Sequence, residues 1–214
     1  MPQDEWPPYR VGNPTHIHTL GVIASVYNLL EFRFGKLFKM YLGLSFSVSS
    51  TLFARINNAM RLDLTRHAIE YSSHPDSIRD DVRHFLAGFT ACAENRNILM
   101  HSVTMFTWLD PNAERCPVLS PQQPNGVAFQ KSPKDKPLTV NIYSPTIEEL
   151  RGVADATNSF EVYGDRLYWH VLKNYEHDTF KAFGLPEDMS CALPERPAPP
   201  NLLSPLHPDD PTEQ

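Results

Sequence analysis

Apolar residues at Leu20, Ile23, Tyr27, Leu30, Phe34, Leu37 and Tyr41 are spaced alternately by three and four positions. That rhythm keeps one side of a helix apolar, so it predicts a helix from about Thr15 to Leu42. Asn13 and Thr15 offer caps, Pro14 suits the entry turn and Gly43 the exit. A second helix is expected from Val48 to about Tyr71, using Phe53, Ile56, Met60, Leu64 and His67. Ser72, Ser73, His74 and Pro75 break it, and Asp76 or Ser77 can cap the next. That third seam reads Ile78, Val82, Phe85, Phe89, Cys92, Arg96 and Leu99, and one member of it is charged.

After His101 the period changes. Val103 to Leu109 is β-branched and aromatic, Leu138, Val140 and Ile142 alternate with polar neighbours, and Val127 to Lys131 suits a third strand. These predict a small antiparallel sheet inserted at about 103–143, with loops at Asp110 to Gly126 and Ser132 to Pro137. Helical signals return with Ser144 as cap and Glu148 four residues on. They continue through Ile147, Leu150, Ala154, Thr157, Phe160, Leu167 and Val171 to near Phe183 and Gly184, with Gly164 a point where the helix divides. The expected fold is mainly α, an up-and-down helical bundle with a small antiparallel β insertion. Residues 1–14 form an arm and 15–185 the folded domain. The segment 186–214 is a Pro-rich tail, expected to be disordered or laid on a surface, since it has little to bury.

Composition narrows the class. In 214 residues, 9 Gly and 20 Pro without a short period exclude collagen-like and repeat architectures. Cys92, Cys116 and Cys191 form no C-x-x-C pair and are odd in number, which points away from a disulfide scaffold or zinc knuckle and towards a reducing cytoplasm. No basic, apolar leader opens the chain. The most apolar stretch, Leu20 to Phe46, is interrupted by Glu31, Arg33, Lys36 and Lys39, so no membrane span is expected. The net charge of −6 comes mostly from the tail, where six acidic residues stand against Arg196. Between His16 and Leu109, nine Arg and Lys face seven Asp and Glu. A broad basic nucleic-acid footprint is therefore missing, although one or two arginines in a cleft suffice to engage a phosphate.

Arg96 occupies a seam position that calls for an apolar side chain, and a charge there needs a partner or a purpose. Asn97 and His101, four apart, share a helix face, whereas Arg96 and His101 lie about 140° apart around the axis. If the helix ends near Met100, His101 can swing into a common site with Arg96. The structural alternative pairs Arg96 with a carboxylate such as Glu31, beside the first seam, and leaves His101 as a helix terminus. Arg79 and His84 repeat the spacing but lie off the apolar seam, as a solvated face would.

Arg96-Asn97-x3-His101 at the end of a long helix, after a first helix reading Asn28-Leu29-Leu30-Glu31, resembles the HEPN superfamily of helical bundles, whose signature is Arg-x4-6-His with a polar residue after the Arg. The resemblance covers roughly His16 to His101 and the closing helix from Thr146. It implies a metal-independent endoribonuclease acting as a homodimer, in a toxin–antitoxin, phage-defence or RNA-processing setting. Arg96 and His101 would be catalytic, with Asn97 and Glu31 supporting them. RNA would be the substrate, no cofactor or metal would be required, and the partner would be an antitoxin or regulatory protein. Other members of the superfamily are non-catalytic interaction modules, and this is the alternative reading. The His-x-Tyr continuation of nucleotidylated toxins is absent, since Ser102 and Val103 follow His101, which argues against control by AMP transfer to that tyrosine.

The residue types suit the chemistry. Cleavage through the 2′-hydroxyl requires a base, an acid and stabilisation of phosphate charge; imidazole and guanidinium supply these. One histidine cannot be base and acid at once, and a twofold dimer would bring two copies of His101 to one cleft. His16-x-His18 lacks further ligands for a metal. His170 and His177, seven apart, and the aromatic group Tyr163, Tyr168, Trp169 and Tyr175 are expected to serve packing or the surface.

Overall fold

The first seam folds as α1 (Pro14–Leu42), which buries Ile23, Tyr27, Leu30, Phe34 and Leu37 and stops at Gly43. There φ is 60°, a left-handed value that glycine adopts without a Cβ clash. The computed structural model describes residues 14–101, 103–106, 127–131, 141–143, 145–186 and 188–205. The arm 1–13, the loops expected at 110–126 and 132–137, Ser144 and the end of the tail, 206–214, lie outside the described residues.

The single helix expected from Val48 to Tyr71 is instead two, α2 (Phe46–Arg55) and α3 (Asn58–Glu70). Ile56 is extended, and the Asn57 side chain accepts from the Met60 amide at 2.9 Å, so a side-chain cap restarts the helix. α4 (Asp76–His101) starts on the Pro75 carbonyl, which accepts from the amides of Ile78 and Arg79. It runs through His101 rather than ending at Met100. Three short strands follow, β1 (Val103–Phe106), β2 (Val127–Lys131) and β3 (Asn141–Tyr143), paired antiparallel in that order. Phe106 stands opposite Val127, and Lys131 opposite Asn141.

α5 (Ile147–Tyr175) opens on a capping box. The Thr146 hydroxyl accepts from the Glu149 amide at 3.1 Å, and the Glu149 carboxylate accepts from the Thr146 amide at 2.7 Å. Thr146 and Glu149 thus take the roles expected of Ser144 and Glu148. Gly164 does not divide this helix. A Cβ on Gly164 would come within 2.3 Å of the Phe85 ring, and one on Gly88 within 1.9 Å of the Phe160 ring. Each glycine leaves room for an aromatic ring from the other helix, so α4 and α5 cross in close contact. The chain breaks later, at Glu176, before α6 (His177–Ala182).

The protein is mainly helical, a bundle centred on α1, α4 and α5. Its larger core gathers Phe34, Phe38, Phe85, Phe89, Phe160 and Tyr163. A smaller one, at Ile23, Ile98, Leu99, Leu150 and Val153, includes Tyr143 of β3. Arg33 ties α1 to α5 through Glu161 at 2.7 Å and Asp165 at 2.9 Å. No helix among the described residues is long and apolar enough to cross a membrane. Residues 188–205 have no regular secondary structure, yet they are not loose: they lie along α4 and α5, with Cys191 buried, Leu193 on the larger core and Leu203 on the smaller. Of the two courses expected for the tail, disorder or a surface path, this part takes the second.

Candidate active site

The end of α4 brings Arg96, Asn97 and His101 together. Ile98 and Leu99 anchor this turn in the smaller core, Arg96 and Asn97 are half-buried, and His101 is exposed. Arg96 tolerates its seam position because its guanidinium carbon lies 5.4 Å from the centroid of the Tyr27 ring, while its apolar stem fills the space a hydrophobe would take. Tyr27 is itself fixed, stacked on Phe89 at 5.9 Å and accepting from Asn58 Nδ2 at 3.3 Å. Burial, with Glu31 next in weight, pushes the Tyr27 hydroxyl up to about 12 against the opposing influence of Asn58, Arg96 and Arg61. Arg96 therefore rests on a neutral aromatic platform.

Arg96 Nη1 donates to Asn97 Oδ1 at 3.2 Å and meets His101 Nε2 at 2.6 Å. A guanidinium has only donors, so Nε2 must be the acceptor, which assigns the ring proton to Nδ1. The 140° between the two positions is bridged by the length of the arginine side chain. In this tautomer His101 carries its lone pair on the nitrogen that faces the arginine. No family model, curated protein or solved structure matches this chain. The functional reading accordingly rests on this geometry and on the sequence motif.

The pairing of Arg96 with Glu31 does not occur. Glu31 accepts from Arg61 Nη1 at 2.7 Å; the same nitrogen donates to Asn58 Oδ1 at 2.7 Å, and the Arg61 guanidinium stacks 4.0 Å from the Phe53 centroid. Arg61 offers Glu31 a partner on α3, the helix flanking that side of α1, so the carboxylate is drawn away from α4. Glu31 bears on the site through its charge beside the Tyr27 hydroxyl. Among the described residues, Arg96 makes no ion pair with a carboxylate.

The other chemistry-bearing residues are dispersed. His16 is buried, its pKa lowered by desolvation and its Nδ1 without a hydrogen-bond partner among the described residues, while His18 is exposed. Among the described residues no three His, Cys, Asp or Glu cluster as metal ligands would. His170 and His177 do not share a helix, because α5 ends at Tyr175. Tyr163 is a core residue donating to Asp81 at 2.9 Å; Tyr168 and Trp169 flank the Lys36 ammonium, and Tyr175 packs on His74. His84 is not on a solvated face as expected: it stacks on Phe160 and lies under the tail. Two contributors were not singled out by the pattern. Tyr27 reads as an ordinary seam residue, and Asn95, fully buried one position before Arg96, sits in the polar run Glu94 to Asn97, with apolar residues three and four positions away at Ala91, Cys92, Ile98 and Leu99.

Proposed function

We propose that this chain is a metal-independent endoribonuclease of the HEPN type, cytoplasmic and active as a homodimer, that cleaves RNA through Arg96 and His101. The observation that carries the reading is the Arg96–His101 contact at 2.6 Å, made by an arginine with no carboxylate partner among the described residues. Among the described residues the side-chain acceptors of this guanidinium are neutral, and its planar fork is suited to exchanging one of them for a phosphate. When a phosphodiester takes those donors, the Nε2 lone pair of His101 is released. Nε2 then removes the proton from the 2′-hydroxyl, the 2′-oxygen attacks phosphorus, and Arg96 stabilises the charge that builds on the non-bridging oxygens. The P–O5′ bond breaks and the 5′-oxygen takes a proton from the His101 of a second copy. The products are a 2′,3′-cyclic phosphate and a 5′-hydroxyl.

The alternative, a non-catalytic HEPN-like interaction module, draws on the same contact read differently: Arg96 is already satisfied by Asn97, His101 and Tyr27. One experiment separates them. Wild type, Arg96→Ala and His101→Ala are incubated with mixed RNA in EDTA, with 3′-end analysis and light-scattering mass on the same samples. The nuclease reading expects cyclic-phosphate ends from a dimeric wild type and a loss of at least ~100-fold in each folded variant. Cleavage that survives His101→Ala sinks it, and a folded, inactive wild type transfers the weight to the module.

A further inference from the structure

Residues 188–205 are held on the bundle in an unusual way. Among the described residues their backbone makes no backbone hydrogen bond to any helix. Side chains of α4 and α5 grip it instead: Lys173 Nζ donates to the Met189 carbonyl at 2.5 Å, His170 Nδ1 to that of Cys191 at 2.9 Å, and His84 Nε2 to that of Pro197 at 2.9 Å. Asn95 is the firmest of these grips. Its Nδ2 donates to the Asn201 carbonyl at 2.8 Å, and its Oδ1 accepts from the Leu203 amide at 2.9 Å. The amide thus reads one donor and one acceptor of an extended strand. Asn95 is 0 % exposed with the strand in place, and both its amide oxygen and its amide nitrogen are paired through the strand's backbone.

The dimensions agree. From Asp81 to Asn95, α4 rises about 21 Å. From Arg196, which donates to Asp81 at 2.6 Å, to Leu203, a polyproline-like strand covers about 22 Å. Pro197, Pro199 and Pro200 lie within that span and stiffen it before docking, which reduces the entropy lost. Attachment is shallow: Cys191 is the one described residue of the segment that is buried, and a cavity of about 750 Å³ remains between residues 197–204 and the first turns of α5.

We infer that the α4–α5 face is a peptide-binding groove for an extended, proline-rich segment, and that residues 188–205 occupy it as a tethered, releasable ligand. Recognition is by main-chain hydrogen bonds, with Arg196 against Asp81 and the pegs Cys191, Leu193 and Leu203 setting the register.

The test uses the full chain and a fluorescein-labelled peptide of residues 188–205. In Arg196→Ala/Leu203→Asp the strap is released and the peptide binds in trans. To wild type it binds at least ~10-fold more weakly, because the tethered copy competes at high effective concentration. Adding Asn95→Leu to the released variant abolishes binding. In wild type, hydrogen exchange at the Leu203 amide is faster than at core amides of α4, since the strap opens without the bundle. A folded released variant that fails to bind the peptide overturns the proposal. So does a strap that exchanges only at the rate of the α4 core, or loss of helical signal on release, for the segment is then part of the fold.

Discussion

The middle and the C-terminal end of α4 obey different rules. Around Gly88 the helix is a dry fit, in which Phe85 and Phe160 each sit where a methyl group is missing on the opposite helix. At Asn95, Arg96, Asn97 and His101 the same helix carries polar side chains whose partners are other side chains and the strap. The first region is specified by volume and the second by donors and acceptors. A change of one methyl should therefore be severe in the middle of the helix, whereas at its end only a change of chemistry should matter.

The largest effect is expected where volume rules. Gly88→Ala places a Cβ against Phe160, and Gly164→Ala places one against Phe85; neither ring has free space, because both are completely buried. Each should cost about 3 kcal/mol or more, at the severe end of overpacking, since the helices must separate. Urea midpoints measure it. A loss below about 1 kcal/mol for both would mean that the crossing is not tight.

Next comes the platform beneath Arg96. The Tyr27 hydroxyl ionises near 12 in the folded chain and near 10 when unfolded, a raised value. The stability this contributes is complete below pH 10 and is lost as pH rises towards 12, at up to ~1.4 kcal/mol per pH unit. Tyr41 and Tyr163 are raised by burial as well, so the wild-type alkaline limb is a shared one. Tyr27→Phe should flatten its own part, so that the variant loses ground to wild type below pH 10 by less than about 1 kcal/mol and recovers it above. Parallel stability curves from pH 9 to 12 would show that the hydroxyl is not held in its neutral form.

These contrasts also explain what the sequence made legible. α1, α4 and the start and middle of α5 follow from unbroken three-and-four spacing. The division of α2 from α3 does not, because Phe53, Ile56 and Met60 keep a helical spacing across a break that Asn57 imposes by capping. Gly164 reads locally as a breaker; its role depends on Phe85, far away in the chain. Arg96 stood out as a charge on an apolar seam, and its neighbours Asn97 and His101 were readable with it. Which arginine Glu31 would choose was not, since only the packing of α3 on α1 decides it. Proline content described the tail's composition correctly but not its anchorage, which resides in Asn95, His84, His170 and Lys173 on the helices.

The smallest changes in stability are expected where chemistry rules. Arg96→Met keeps a long apolar stem over Tyr27 and forfeits the cation–π contact, about 0.5–1 kcal/mol. His101→Gln, at an exposed helix end, should stay within about 0.5 kcal/mol of wild type. Both should nevertheless lose RNA cleavage by ~100-fold or more, because neither methionine nor glutamine supplies a phosphate-binding cation or a proton acceptor near neutral pH. Thermal unfolding and cleavage rates on the same preparations give the two axes. Variants that are stable and inactive would locate the function in the donors and acceptors of this helix end. If His101→Gln unfolds as readily as Gly88→Ala, the end of α4 is structural after all and the contrast between its two regions fails.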